Sequence, residues 1–152
     1  MPHINDLIDF TVVVYIVRQN KVLLINHKQL KKWLPLGGHI ELDEDPEEAA
    51  IREAKEESGF DIEIVAKKPE IKDESNKLLF RPEYLDIHKV GGEHRHVGIV
   101  YFARVKSGKL KLAELEHSDI GWFSLKDLES KKLNLGQAIK FYAKKALEKL
   151  SS

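Results

Sequence analysis

Between Glu41 and Glu57 the chain gathers Glu41, Asp43, Glu44, Asp45, Glu47, Glu48, Glu53, Glu56 and Glu57 against only Arg52 and Lys55. Glu53, Glu56 and Glu57 are three and four residues apart, so a helix through them carries all three on one face, toward its carboxyl end. The helix dipole disfavours negative charge there, and each like-charge pair costs about 0.2–0.5 kcal/mol on an exposed surface, more where water is partly excluded. Arg52 can pair with one carboxylate, and a hard divalent cation can take oxygens from several at once. Oxygen donors with neither cysteine nor a helical His-x-x-x-His pair point to Mg²⁺, with Mn²⁺ as the alternative, rather than zinc. Taken alone, the helix would still be read as a solvated acidic face.

Positioning that face requires a helix with defined ends. Asp45-Pro46-Glu47-Glu48 supplies an N-cap acceptor, proline at the first helical position and an acid three residues after the cap. Asp45, Glu47 and Glu48 are therefore assigned to capping and to the helix dipole. Gly59 suits a left-handed stop. Upstream, Thr11–Val17 and Val22–Ile25 read as a hairpin whose first strand is central, and Gly37-Gly38 is expected to break regular structure and admit a close approach of backbone. Downstream, segments 60–66, 78–90 and 94–105 look extended, with Gly91-Gly92 as a hairpin turn and 67–77 as a polar loop. A short strand at 120–123 leads to a helical turn capped by Ser124. An amphipathic helix over 135–150 is expected to bury Ala138, Phe141, Tyr142, Leu147 and Leu150.

The chain has 152 residues, 42% of them hydrophobic, which suits one domain over 1–152 with one core. Basic and acidic residues balance at 25 each, so neither a nucleic-acid partner nor a membrane surface is expected. Cysteine is absent, which fits a cytoplasmic location. The apolar run 12–17 is far shorter than the ~20 residues of a membrane helix, and the amino terminus has no basic leader.

The stretch Gly38-His-Ile-Glu-Leu-Asp-Glu44, then 45–51, then Arg52-Glu53-Ala54-Lys55-Glu56-Glu57-Ser58-Gly59-Phe60 resembles the Nudix box, GX5EX7REUXEEXGU, with every fixed position at its required spacing. Ala54 stands where that family prefers a larger aliphatic residue, a matter of packing beneath the helix. Trp33-Leu34-Pro35 and Trp122-Phe123-Ser124-Leu125 also look like the family's flanks. The resemblance implies an α/β Nudix fold, a mixed β-sheet between helices in α/β/α layers, with the box as a loop-helix-loop unit. It also implies a Mg²⁺-dependent pyrophosphohydrolase acting on a small nucleotide-like diphosphate. A homodimer is compatible with this. An inactive nucleotide-binding or regulatory module is the alternative, although such modules usually have damaged metal positions and this chain keeps them all.

By the same resemblance Glu53, Glu56 and Glu57 are metal ligands, the Gly37 carbonyl is a further ligand, and Arg52 orients Glu53 or Glu56. Glu53 is the first choice of general base, with Glu93 and Glu116 as alternatives. Glu44 is expected to brace the loop or assist a ligand indirectly. Substrate-binding residues are not identified: Trp33, Phe80 and Tyr84 could stack on a base but are more often core. His94 and His96 share a strand face, yet no third metal ligand accompanies them in the sequence, so a polar strand face, or contact with phosphate or base together with Arg95, is the expectation.

Overall fold

The computed structural model describes residues 3–113 and 117–151. Strand β1 (Ile8–Arg18) is central, pairing in parallel with β7 (His94–Gly108) and antiparallel with β2 (Lys21–His27). The β1–β2 turn places Gln19 and Asn20 at φ 51° and 61°, the left-handed pair of a tight hairpin. Strands β3 (Lys32–Leu34) and β4 (Leu36–His39) follow, then helix α1 (Pro46–Ser58), β5 (Phe60–Ile64) and β6 (Tyr84–Gly91). After β7 come β8 (His117–Phe123), the short α2 (Leu125–Glu129) and α3 (Gln137–Leu150). The sheet runs β3-β2-β1-β7-β5, with β4 beside β1, β6 beside β7 and β8 beside β2.

Alternation along the strands divides the apolar side chains between two layers. Val12, Val14, Ile16, Tyr101 and Ala103 pack with Ala49, Ala50 and Ala54 of α1. Tyr15, Val17, Val100 and Phe102 pack with Ala143, Ala146, Leu147 and Leu150 of α3. This is the mixed sheet sandwiched between helices. Three small residues on α1 let it sit close to the sheet. Ala138 and Phe141 depart from expectation: Ala138 is exposed and Phe141 stays 47% exposed, edge-on to Tyr84 with ring centroids 5.5 Å apart, because helical spacing puts the buried stripe on 143, 146, 147 and 150.

Helix α1 begins with a reciprocal capping box between Asp45 and Glu48, and Gly59 ends it in the left-handed region at φ 82°. Glu47 does something else: its carboxylate is buried and accepts the Phe80 amide at 2.5 Å. Lys77 reaches Asp45, also at 2.5 Å. The loop between β5 and β6 is thus fastened to the helix start. A second correction concerns Gly37-Gly38, which does not break regular structure. Both lie in β4, where Gly37 pairs with Val13 and Gly38 with Val12, because a Cβ on Gly37 would stand 2.1 Å from the Val12 carbonyl oxygen.

Candidate active site

The side chains of α1 that face the sheet meet this glycine strand. Glu53 and Glu57, one turn apart, are buried, with 5% and 6% of their surface exposed. A Cβ on Gly38 would fall 2.2 Å from Glu53 Oε1, so only glycine lets that carboxylate lie against the backbone. Glu57 Oε1 accepts the Gly37 amide at 2.7 Å, and its Oε2 lies 2.8 Å from Nε2 of buried His117. Glu56 sits one position round the helix, with its side chain 59% exposed. The three glutamates therefore differ in surroundings: two are enclosed and one opens to solvent.

Arg52 ties two of them, Glu53 and Glu56, to the loop before the helix. Its Nε and Nη2 donate to both oxygens of Glu44 at 3.0 and 2.6 Å, Nη2 also donates to the His39 carbonyl at 3.0 Å, and Nη1 donates to Glu53 Oε1 at 2.9 Å and Glu56 Oε2 at 3.3 Å. A planar guanidinium serves such a set because its donors leave in fixed directions. Its hydrogen bonds with Glu44 hold the arginine above its ordinary pKa and Glu44 below the usual carboxylate range. Glu44 in turn accepts the Glu41 amide at 2.9 Å, closing the loop before α1.

Glu53 moves the other way. Burial first, then the charge of Glu57, push its carboxyl up to about 8, against the opposing pull of Arg52. Two enclosed carboxylates, of which only Glu53 meets the arginine, suit a divalent cation, which would restore charge balance through oxygen donors. The residues therefore fit a hard ion. Gly38→Ala tests the cradle directly: β4 tolerates alanine in its backbone, but the new methyl displaces Glu53. We expect Mg²⁺ or Mn²⁺ affinity by calorimetry to fall at least about tenfold with circular dichroism unchanged; wild-type affinity would show the cradle to be unimportant.

Of the other residues considered from sequence, Glu93 is exposed beside the β6–β7 turn, and Glu116 lies outside the described residues. Trp33 packs edge-on against Phe123 at 4.8 Å, and Tyr84 and Phe80 join the two apolar layers. His117 carried no sequence signal, since its partner Glu57 is 60 positions away and only the β2–β8 ladder delivers it.

A glycine strand, an arginine-bridged carboxylate helix and a mixed sheet between helices define a class, and comparison places the chain in it. The NUDIX domain family profile matches residues 8–144. The chain belongs to that family. Among solved structures it is similar to a NUDIX family hydrolase from Clostridium perfringens, with 38% identity, TM-score 0.82, and coverage of 94% of this chain and 98% of that one. It is also similar to a MutT NUDIX hydrolase from Burkholderia pseudomallei, with 26% identity, TM-score 0.69, and coverage of 96% and 100%. A curated relative from Lactococcus lactis, named "Probable DHNTP pyrophosphohydrolase", is 29% identical over 112 residues, which is 74% of this chain and 63% of the relative. The chain spans less than two thirds of the length of each curated relative it matches. Among the described residues no helix is long and apolar enough to cross a membrane.

Proposed function

We propose that residues 1–152 act as one domain, cytoplasmic in location, that hydrolyses a diphosphate linkage in a nucleoside diphosphate derivative with the help of Mg²⁺ or Mn²⁺. The observation that carries this reading is the pair of buried carboxylates, Glu53 and Glu57, laid against Gly38 and Gly37, with Arg52 joining Glu53 to the exposed Glu56. Glu53, Glu56 and Glu57 would hold the ion, with the Gly37 carbonyl as a further donor. When bound, the ion would offset the negative charge that develops on phosphate oxygens during displacement.

The chain's own groups do the rest. Arg52 fixes the Glu53 and Glu56 carboxylates, and the Gly37 amide and His117 fix both oxygens of Glu57, so little reorganisation remains when substrate arrives. Glu53, held in place by Arg52 beside the proposed ion, is our choice for the group that takes the proton of the attacking water. A groove beside Glu56 is rimmed by Lys55, Lys109 and Lys111, and cationic walls there favour an anionic, small-molecule substrate. The names of the relatives, among them a DHNTP pyrophosphohydrolase, support the reaction class.

The test is phosphate release, through a coupling phosphatase or pyrophosphatase, from nucleoside triphosphates, nucleotide sugars, ADP-ribose and dinucleoside polyphosphates with Mg²⁺ or Mn²⁺. Metal-dependent turnover of one class, lost in Glu57→Gln with the fold intact by circular dichroism, is the expected result. A folded, metal-binding chain that turns over nothing in the panel would instead indicate a binding module.

A further inference from the structure

On the opposite face of the sheet from α1, a second set of donors converges. His94 and His96 of β7 point to that face, and the fold brings to them what the sequence did not show: Asp9 of β1, His39 of β4 and His3 of the segment before β1. One ligand atom from each of His3, Asp9, His39 and His96 lies within 4.8 Å of all the others. His39 Nε2 is 3.2 Å from His96 Nε2 and 3.3 Å from Asp9 Oδ2, and His3 Nδ1 is 3.5 Å from the same Oδ2. Donors at ~2.1 Å around one tetrahedral ion stand ~3.4 Å apart, so these separations are those of a ligand shell. We propose that His3, Asp9, His39 and His96 form a second cation site, for a divalent transition-metal ion of the Zn²⁺ type, separate from the carboxylate site on α1.

The donor chemistry separates the two sites. Imidazole nitrogens with one carboxylate favour borderline ions such as Zn²⁺, whereas the glutamates of α1 favour Mg²⁺. Asp9 is 1% exposed and is held in place: the Ile4 and Asn5 amides donate to Oδ2 and Oδ1 at 3.0 and 2.7 Å, and the Asn5 side chain donates to Oδ1 at 3.0 Å. Against the burial that would raise its pKa, these bonds and His39 keep Asp9 below the usual carboxylate range. Burial lowers the pKa of His96 as well, and metal binding needs the carboxylate ionised and the coordinating imidazole nitrogens unprotonated.

A purely hydrogen-bonded cluster explains less. It accounts for His39 beside His96, where one ring can donate and the other accept. It does not account for the crowding at Asp9 Oδ2, where nitrogens of His3, His39 and His94 stand at 3.5, 3.3 and 3.3 Å beside the Ile4 amide at 3.0 Å, more neighbours than the lone pairs of one oxygen can serve. A cation held on Asp9, with His3 and His39 as fellow ligands, would gather these nitrogens about that oxygen. Because His3 comes from the terminal segment, such an ion would clasp that segment to β1, β4 and β7.

The test uses the full chain, stripped with EDTA and kept in millimolar Mg²⁺ so that the carboxylate site is satisfied. Zn²⁺ is then titrated against a chromophoric chelator. The expected result is about one Zn²⁺ per chain, with affinity falling by ~100-fold or more in His39→Ala/His96→Ala and unchanged in Glu53→Gln/Glu57→Gln. No Zn²⁺ uptake by the wild type, full uptake by the histidine variant, or loss in the glutamate variant would overturn the proposal. Should the histidine variant fail to fold, Co²⁺ loading of the wild type decides. Intense visible bands of a four-coordinate ion, abolished by Zn²⁺, support the site; the weak spectrum of a six-coordinate ion refutes it. None of these readouts depends on hydrolysis, so they stand apart from the fate of the proposed reaction.

Discussion

Glu53→Gln should lower kcat by about 10²–10⁴-fold, the range associated with loss of a positioned general base, and should also make the metal-free protein harder to unfold at alkaline pH. The second effect follows from linkage. In the metal-free chain the folded-state pKa of Glu53 is raised from 4.5 to about 8, so the folded state holds this proton more tightly than the unfolded state does. The associated stability is full below ~4.5 and is lost as pH rises through ~8. Glutamine keeps the shape and can still accept from Arg52, but it has no proton to lose. Thermal midpoints measured with EDTA should therefore favour the variant at pH 9 and converge with wild type at pH 5, and Mg²⁺ should restore the wild type at high pH. Undiminished turnover would remove Glu53 from the reaction, and equal midpoints at pH 9 would mean that its carboxylate is not strained by its surroundings.

Arg52→Ala should be the most destabilising single change in the box. It removes the counter-charge from Glu44, whose side chain is 11% exposed, takes a donor from Glu53, whose side chain is 6% exposed, and leaves the His39 carbonyl without this donor. Stranding enclosed charges in this way costs about 3–5 kcal/mol, a large share of the stability of a domain of this size. Arg52→Lys keeps the charge but not the fork. One ammonium cannot span both oxygens of Glu44, the two glutamates of α1 and a carbonyl at once. The lysine variant is thus expected to recover much of the unfolding free energy in urea while kcat stays depressed. If lysine restores turnover fully, charge alone matters at this position and the directed donors do not.

What could be read from the chain and what could not divide along the range of the interactions. The α1 boundaries depend on Asp45, Pro46 and Gly59, which act within one turn of themselves, and the box spacing depends on the period of one helix. The central hairpin was legible for the same reason. Gly37-Gly38 misled because glycines usually interrupt strands, whereas here the absent side chains make room for the Val12 carbonyl and the Glu53 carboxylate, both distant in sequence. Glu47 looked like a capping acid until the Phe80 amide, 33 residues on, claimed it. His117 beside Glu57, and Asp9 and His39 beside His96, are products of strand pairing, which no local pattern announces.

Strand β4 serves both faces of the sheet from neighbouring positions: Gly38 turns toward Glu53, and His39, the next residue, turns toward Asp9 and His96. Side chains alternate along a strand, so a slip of β4 by one position against β1 would carry an imidazole into the space of the buried glutamate and present a glycine to the histidines. Substitutions could tune either set of ligands separately, but an insertion or deletion within Leu36–His39 would ruin both at once. The two sites share a single reading frame in space, set by four residues of one short strand.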